Sequence, residues 1–137
     1  MKVLAIILVL LAVVLIILPG YTDCLSQGQS ITLANETQIP MKCHWTARAE
    51  IAIGIPVLPL GIALFFSRQK SVRRLIGILT LVMGAVGALL PTVLIGVCKT
   101  AGMSCNTVMS PSILLTCIGV VLVGILVFFL SLERKNA

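Results

Sequence analysis

The chain has 137 residues, of which 59% are hydrophobic and 10% are charged. Soluble domains carry about 25% charged residues, so this composition excludes a separate soluble domain. The formal net charge of +6 is explained by basic residues at membrane surfaces, and no nucleic-acid partner is needed to account for it.

Four long apolar runs predict four transmembrane helices. With flanking residues, they place the spans at about 3–20, 46–66, 75–97 and 112–131. Each is about long enough to cross a hydrocarbon core of roughly 30 Å at 1.5 Å per residue. The longest polar stretch, 19–50, is too short for a core of its own. The sequence therefore predicts an all-α protein with a single domain over 1–137, a four-helix transmembrane bundle.

The first span has to be compared with a cleaved signal peptide, because it directly follows Met1 and Lys2. Its apolar run is longer than most signal sequences need, and the segment Pro19–Asp23 offers no small-residue cleavage site. We therefore expect a retained span. The first outer loop contains Ile31 and Thr32, which predict a short β-hairpin through Ser30–Leu33.

Basic residues indicate the topology, because Lys and Arg in short loops mark the cytoplasmic side of a membrane. Seven of the ten fall on one side of the predicted bundle: Lys2, Arg68, Lys70, Arg73, Arg74, Arg134 and Lys135. Both termini are then cytoplasmic, and the outer loops cover about 21–45 and 98–111. We expect a multi-pass protein of the bacterial cytoplasmic (inner) membrane.

Four of the five cysteines lie in the outer loops: Cys24, Cys43, Cys98 and Cys105. On the oxidising side of the membrane, an even set of cysteines predicts two disulfides, and four cysteines allow three connectivities. Bridges within each loop or between the two loops would both stabilise the outer cap, by about 2 to 4 kcal/mol each. Cys117 is predicted to be a small buried hydrophobic residue inside the fourth span.

Small residues predict where the helices approach each other closely. Span three carries Gly77, Gly84 and Pro91 at intervals of seven, and the other spans carry Gly54, Gly61, Gly119 and Gly124. Pro56 and Pro59 predict a kink in span two. No acidic or basic residue lies at the centre of a predicted span, which argues against a proton relay or an ion pathway.

The densest chemical cluster is the segment Cys43–Glu50, which contains the only His and the only Trp of the chain. If a helix starts at about Thr46, that residue would cap it and Glu50 would lie near its positive end. Trp45 would then lie at the membrane interface, and Arg48 could reach lipid head groups or pair with Glu50. This structural explanation leaves His44 unexplained. The alternative is a ligand or partner site formed by Cys43, His44, Trp45, Thr46, Arg48 and Glu50.

A soft-metal site is a second interpretation of the outer loops. Thioether, thiolate and imidazole donors come from Met41, Cys43, His44, Met103 and Cys105, with Cys98 and Met109 nearby. These ligands suit copper(I), and Cys and His also suit zinc. However, the spacing matches no compact zinc motif, and disulfides would use the same sulfur atoms.

A quinone-linked thiol–disulfide oxidoreductase is a third interpretation. The chain is similar in its four-helix plan to the disulfide-bond-formation quinone reductases and to the vitamin K epoxide reductase type, and Arg48 could face a quinone. Those families use a CxxC pair at the quinone, since closely spaced thiols form an exchangeable disulfide. This chain has no CxxC, which argues against that chemistry.

The string Cys-His-Trp-Thr-Ala-Arg-Ala-Glu at 43–50, the proline-broken span after it and the later Met-x-Cys resemble an uncharacterised family of small four-span bacterial membrane proteins, known only as a domain of unknown function. The resemblance covers nearly the whole chain. It implies that the residues shared with the family are those at 43–50 together with Cys24, Cys98, Met103 and Cys105. It also implies a partner among ATP-binding-cassette exporters, and no activity.

The sequence shows no P-loop, no serine-hydrolase elbow, no CxxC and no HExxH. We therefore expect a non-enzymatic accessory or interaction subunit of a larger membrane complex, with no catalytic residues and no cofactor. A quinone, copper or zinc is expected as a cofactor only under the alternative interpretations. The expected partners are the lipid bilayer and either another membrane protein or a second copy of the chain.

Overall fold

A computed structural model describes residues 1–22, 28, 31–36, 38–39, 42–96 and 105–133, and four long helices dominate this part of the chain. Their bounds are α1 Lys2–Thr22, α2 Lys42–Phe66, α3 Lys70–Leu89 and α4 Ser110–Glu133. All four are long and apolar enough to span a membrane. These four helices confirm the predicted all-α class and the predicted multi-pass membrane character.

Two short strands lie between α1 and α2. Strand β1, Ile31–Thr32, pairs antiparallel with β2, Gln38–Ile39, so that Ile31 is opposite Ile39 and Thr32 is opposite Gln38. Glu36 in the connection has a φ of 58°, a left-handed conformation that turns accommodate. The predicted hairpin is therefore confirmed, and its second strand lies beyond the segment in which it was predicted.

The end of the third span and the start of the fourth are π-helical. One π-helical segment, Leu90–Leu94, continues α3, and another, Cys105–Met109, leads into α4. Pro91 has no N–H to donate, so the regular ladder cannot continue through it. The N–H groups of Ile95 and Gly96 both donate to the Leu90 carbonyl, at 3.0 and 3.1 Å. Gly96 then ends the segment with a φ of 79°, which glycine adopts without steric cost.

The helices form two closely packed pairs, α1 with α2 and α3 with α4, and the pairs meet mainly through α1 and α4. On α1 the buried residues recur every three or four positions: Ala5, Leu8, Ala12, Leu15 and Pro19. This spacing is one face of an α-helix. The other faces carry exposed aliphatic side chains, as expected of a helix in contact with lipid.

Glycines mark the closest approaches, as the sequence predicted. A Cβ added at Gly124 would lie 2.9 Å from the Leu81 backbone nitrogen and 3.1 Å from the Gly77 carbonyl oxygen. One added at Gly61 would lie 2.8 Å from Cγ2 of Val9. No larger residue fits these positions without moving a neighbour.

Helix α2 begins at Lys42, four residues before the predicted span. Thr46 therefore lies inside the helix and does not cap it. The earlier start has a clear physical reason, because Cys43, Thr46 and Ala47 fall on the buried face of the helix and add to its packing. Both Pro56 and Pro59 lie within the helix, which continues through them to Phe66.

Candidate functional site

The segment 43–50 divides into an inward and an outward face. Cys43, Thr46 and Glu50 have no exposed surface, because positions i, i+3 and i+7 lie on one side of a helix. Trp45 is 61% exposed and Arg48 is exposed. The six residues predicted as one site therefore do not form a single cluster.

The outward face suits a membrane interface. The rings of His44 and Trp45 meet edge to face with centroids 6.0 Å apart, and Arg48 lies on the surface beyond them. An indole and a guanidinium are both favoured where lipid meets water. The pairing of Arg48 with Glu50, considered from the sequence, is not formed, because residues two positions apart on a helix face different directions.

Three helices meet at Glu50. The Cys117 thiol of α4 donates to Glu50 Oε2 with the two atoms 3.9 Å apart. Gly87 of α3 completes the contact, since a Cβ added there would lie 2.8 Å from Cys117 Sγ and 3.5 Å from Glu50 Oε2. Cys117 is fully buried, as predicted, but it is also a hydrogen-bond donor. A side chain at position 87 would close the space that the carboxylate and the thiol share.

Thr46 connects the start of α2 to the end of the third span. Its hydroxyl oxygen lies 2.9 Å from the carbonyl oxygen of Gly96 and 3.4 Å from that of Lys42. A hydroxyl has one proton, so the shorter contact to Gly96 is the better hydrogen bond. It holds two segments that are 50 positions apart in the sequence.

The second carboxylate oxygen, Glu50 Oε1, is buried and has no hydrogen-bond partner among the described residues. It lies eight residues into α2, or about 12 Å along the helix axis. A buried carboxylate without a partner cation costs several kcal/mol. Ionisable groups inside membrane spans are rare for this reason, and they usually mark a functional site. The arrangement can hold a proton or a small cation at this oxygen.

Thr80 is a second buried polar side chain in the bundle. Its hydroxyl oxygen also has no partner in the described part of the chain. It lies four and seven positions before Gly84 and Gly87, on the same buried face of α3. Thr80 therefore lies about 10 Å along the helix axis from the level of Gly87 and forms a separate buried polar position.

The structure leaves several predicted site residues untested. Cys24, Met41, Cys98 and Met103 lie outside the described residues, as does the side chain of Cys105. The disulfide and soft-metal predictions thus stay predictions. Over the ranges that are described, no three His, Cys, Asp or Glu side chains are close enough to hold a metal ion.

The sequence placed Glu50 near the positive end of a helix that starts at about Thr46, and both its burial and its contact with Cys117 were missed. A signal was available, because Cys43, Thr46 and Glu50 are spaced as one helix face. That face becomes visible only when the helix is extended back to Lys42. Nothing in the sequence marks Thr80, which is surrounded by apolar residues.

The chain matches the family model described as "Domain of unknown function (DUF4418)" over residues 3–130. No curated protein and no solved structure matches it. The family match includes nearly the full length of all four helices, which confirms the resemblance noted from the sequence. The chain therefore belongs to the DUF4418 family of domains of unknown function.

Proposed function

We propose that this protein is a non-catalytic accessory subunit of a larger complex in the bacterial cytoplasmic membrane, and that it reversibly binds a proton at Glu50 in that role. The observation that carries the proposal is the complete burial of the Glu50 carboxylate, one oxygen of which has no hydrogen-bond partner among the residues that the structure describes. An ATP-binding-cassette exporter is the partner that the family resemblance implies.

The size of the space beside Glu50 favours a proton over a bulky ligand. The Cys117 sulfur lies 3.9 Å from Oε2, and even a single methyl group at Gly87 would be 2.8 Å from that sulfur. A bound proton removes the negative charge and so removes most of the cost of burying the carboxylate. Glu50 can bind this proton without a second ionisable group to share it.

The position of Glu50 explains how proton binding would reach the rest of the molecule. The carboxylate belongs to α2, whereas Gly87 and Cys117 belong to α3 and α4, so the site joins the two helix pairs. A negative charge at this junction favours separation of the pairs and access of water, and a neutral carboxyl favours close packing. Proton binding then shifts the population between two arrangements of the pairs.

The surroundings of Glu50 support binding more than catalysis. If Cys117 acted as a thiolate, two negative charges would face each other across 3.9 Å. The Thr46 hydroxyl is already used in its bond to Gly96.

Outside the bundle, the apolar helix faces and the exposed pair of Trp45 and Arg48 provide surface for lipid or for another membrane protein. Both termini would lie in the cytoplasm, and disulfides among Cys24, Cys43, Cys98 and Cys105 would hold the outer cap.

Labelling with dicyclohexylcarbodiimide tests the proton site, because this apolar reagent modifies protonated carboxyl groups inside membranes. The full chain is reconstituted in liposomes, labelled across a pH series and mapped by mass spectrometry. We expect modification of Glu50 that falls as the pH rises, because ionisation removes the reactive form. E50Q should abolish the modification, and E133Q, at an exposed carboxylate on α4, should leave it unchanged.

Absence of Glu50 modification at every pH would contradict the proton site. Protection by sodium or by a small organic cation at constant pH would instead identify a cation site. Neither result bears on the accessory role, which a separate experiment tests.

Native electrophoresis of the host membranes tests the accessory role. A tagged chain expressed at its natural level should migrate in a complex much larger than 14.5 kDa, and mass spectrometry should find a transporter subunit in the same band. Migration as a monomer or as a homo-oligomer alone would contradict the proposal, whatever the state of Glu50.

A further inference from the structure

Two adjoining cavities lie at the end of the bundle that is remote from Glu50. The first is an apolar groove of about 260 Å³ between α1 and α2, with Ile6, Ile62, Phe65 and Phe66 among its walls. The second is a pocket of about 310 Å³ that shares Phe65 and Phe66 with the groove. The two phenylalanines therefore form a common wall, and one molecule could occupy both cavities.

The groove has the properties of an acyl-chain site. All the residues that line it are apolar, and they come from two membrane-spanning helices. The Phe65 and Phe66 rings meet edge to face with their centroids 5.4 Å apart. Phe66 nevertheless remains 76% exposed, so the groove is open to the lipid phase along its side. A hydrocarbon chain lying in it would contact apolar side chains of both helices.

The adjoining pocket is basic. It is lined by Lys2, Arg68 and Arg73, and no acidic side chain is among its lining residues. The Arg73 guanidinium is held in place because Nε and Nη2 donate to the Ser67 carbonyl, at 2.9 and 2.7 Å. Arginine has five N–H donors, so further donors remain for a ligand. Lys2 Nζ lies 5.9 Å from the centre of the Phe65 ring. Three cations around one cavity attract an anionic group.

We propose that the groove and the pocket together bind one anionic phospholipid, with an acyl chain in the groove and the phosphate head group among Lys2, Arg68 and Arg73. Charge complementarity supports a lipid at this place, because an apolar wall and a cluster of cations follow one another where the spans end. A free anion would leave the groove unused. An apolar partner helix would leave the three cations of the pocket without a counter-charge.

The head-group half of the site is tested by native mass spectrometry of the purified full chain with phosphatidylglycerol, phosphatidylcholine or inorganic phosphate added. We expect one phosphatidylglycerol to be retained in preference to phosphatidylcholine. One basic side chain contributes about fivefold to the affinity for an anionic lipid, so R68Q should lower retention by about that factor. The matched control is R74Q, which removes an exposed cation on α3 that does not line the pocket.

The acyl-chain half is tested by filling the groove. Ile6 lines the groove and is 50% exposed, whereas Ile17 lies near the outer end of the same helix and is 51% exposed. I6W should reduce phosphatidylglycerol retention severalfold, and I17W should not. Equal retention of the two lipids, or equal effects of R68Q and R74Q, would overturn the proposal. The proposal would also be overturned if inorganic phosphate competed fully with the lipid and I6W had no effect, since the site would then bind only a free anion.

Discussion

The two helix pairs are packed in different ways. Between α3 and α4, Gly77 and Gly124 bring backbone against backbone, since a Cβ at Gly77 would lie 3.1 Å from both the Gly124 carbonyl oxygen and the Phe128 amide nitrogen. Between α1 and α2 the nearest atoms are in side chains, with Cγ1 of Ile16 2.8 Å from a Cβ at Gly54. A side chain can shift slightly at less cost than a backbone can be displaced. We therefore expect the α3–α4 pair to be the more rigid half of the bundle.

This difference places Glu50 at a boundary between an adjustable and a rigid pair. The carboxylate is carried by α2, and its neighbours Gly87 and Cys117 belong to α3 and α4. We expect any rearrangement that follows proton binding to occur mainly in α1 and α2, with α3 and α4 as the fixed reference.

The largest effect is expected for G124A. Its methyl group would lie 2.9 Å from the Leu81 nitrogen, so the helices must separate, and overpacking of this kind costs about 1 to 3 kcal/mol. Unfolding of the micelle-bound protein by dodecyl sulfate measures the change. G20A is the control, because nothing lies within 4 Å of a Cβ at Gly20. A G124A protein as stable as G20A would remove the distinction between the two pairs.

The next effect is expected for G87A, whose methyl group meets the Cys117 sulfur at 2.8 Å. C117A removes that sulfur and should relieve the clash, so the two changes should be less damaging together than their sum. The coupling in a double-mutant cycle should be about 1 kcal/mol, within the range for residues in contact. Strict additivity in the same unfolding assay would contradict the contact.

A smaller effect is expected for T46V, which removes the donor to the Gly96 carbonyl. Loss of one such bond costs about 1 kcal/mol. Thr92 provides the control, because its exposed hydroxyl bonds only to the Ala88 and Leu89 carbonyls of its own span. T92V should change the free energy of unfolding by a few tenths of a kcal/mol at most. Equal effects of T46V and T92V would show that the Thr46 bond does not hold the spans together.

The smallest effect is expected for G54A. Its methyl group meets a side-chain atom, Ile16 Cγ1, at 2.8 Å. A β-branched side chain has little rotamer freedom in a helix, so a small shift of α1 relieves the contact, and alanine is a better helix former than glycine by up to about 1 kcal/mol. These terms oppose each other, so the unfolding midpoint should stay close to that of the unmodified protein. A loss as large as that of G124A would mean that α1 and α2 are as rigid as the other pair.

The sequence predicted the spans well because apolar runs and glycine spacing are local signals. Gly77 and Gly124 were correctly assigned to close helix contacts for this reason. The burial of Glu50 was not predicted, because it depends on where α2 begins and on Cys117, 67 positions away. The lipid site was equally hidden, since Lys2 and Phe65 come together only when α1 and α2 pack.

The hydrogen bond from Thr46 to Gly96 has a mechanical consequence for the loops that follow α1 and the third span. Helix α2 begins at Lys42, four residues before Thr46, and the described part of the third span ends at Gly96. One bond thus joins the exit of one loop to the return of the other. We expect a force applied to either loop, for example by a bound protein, to act first on this bond and then on Glu50, one helical turn further along α2.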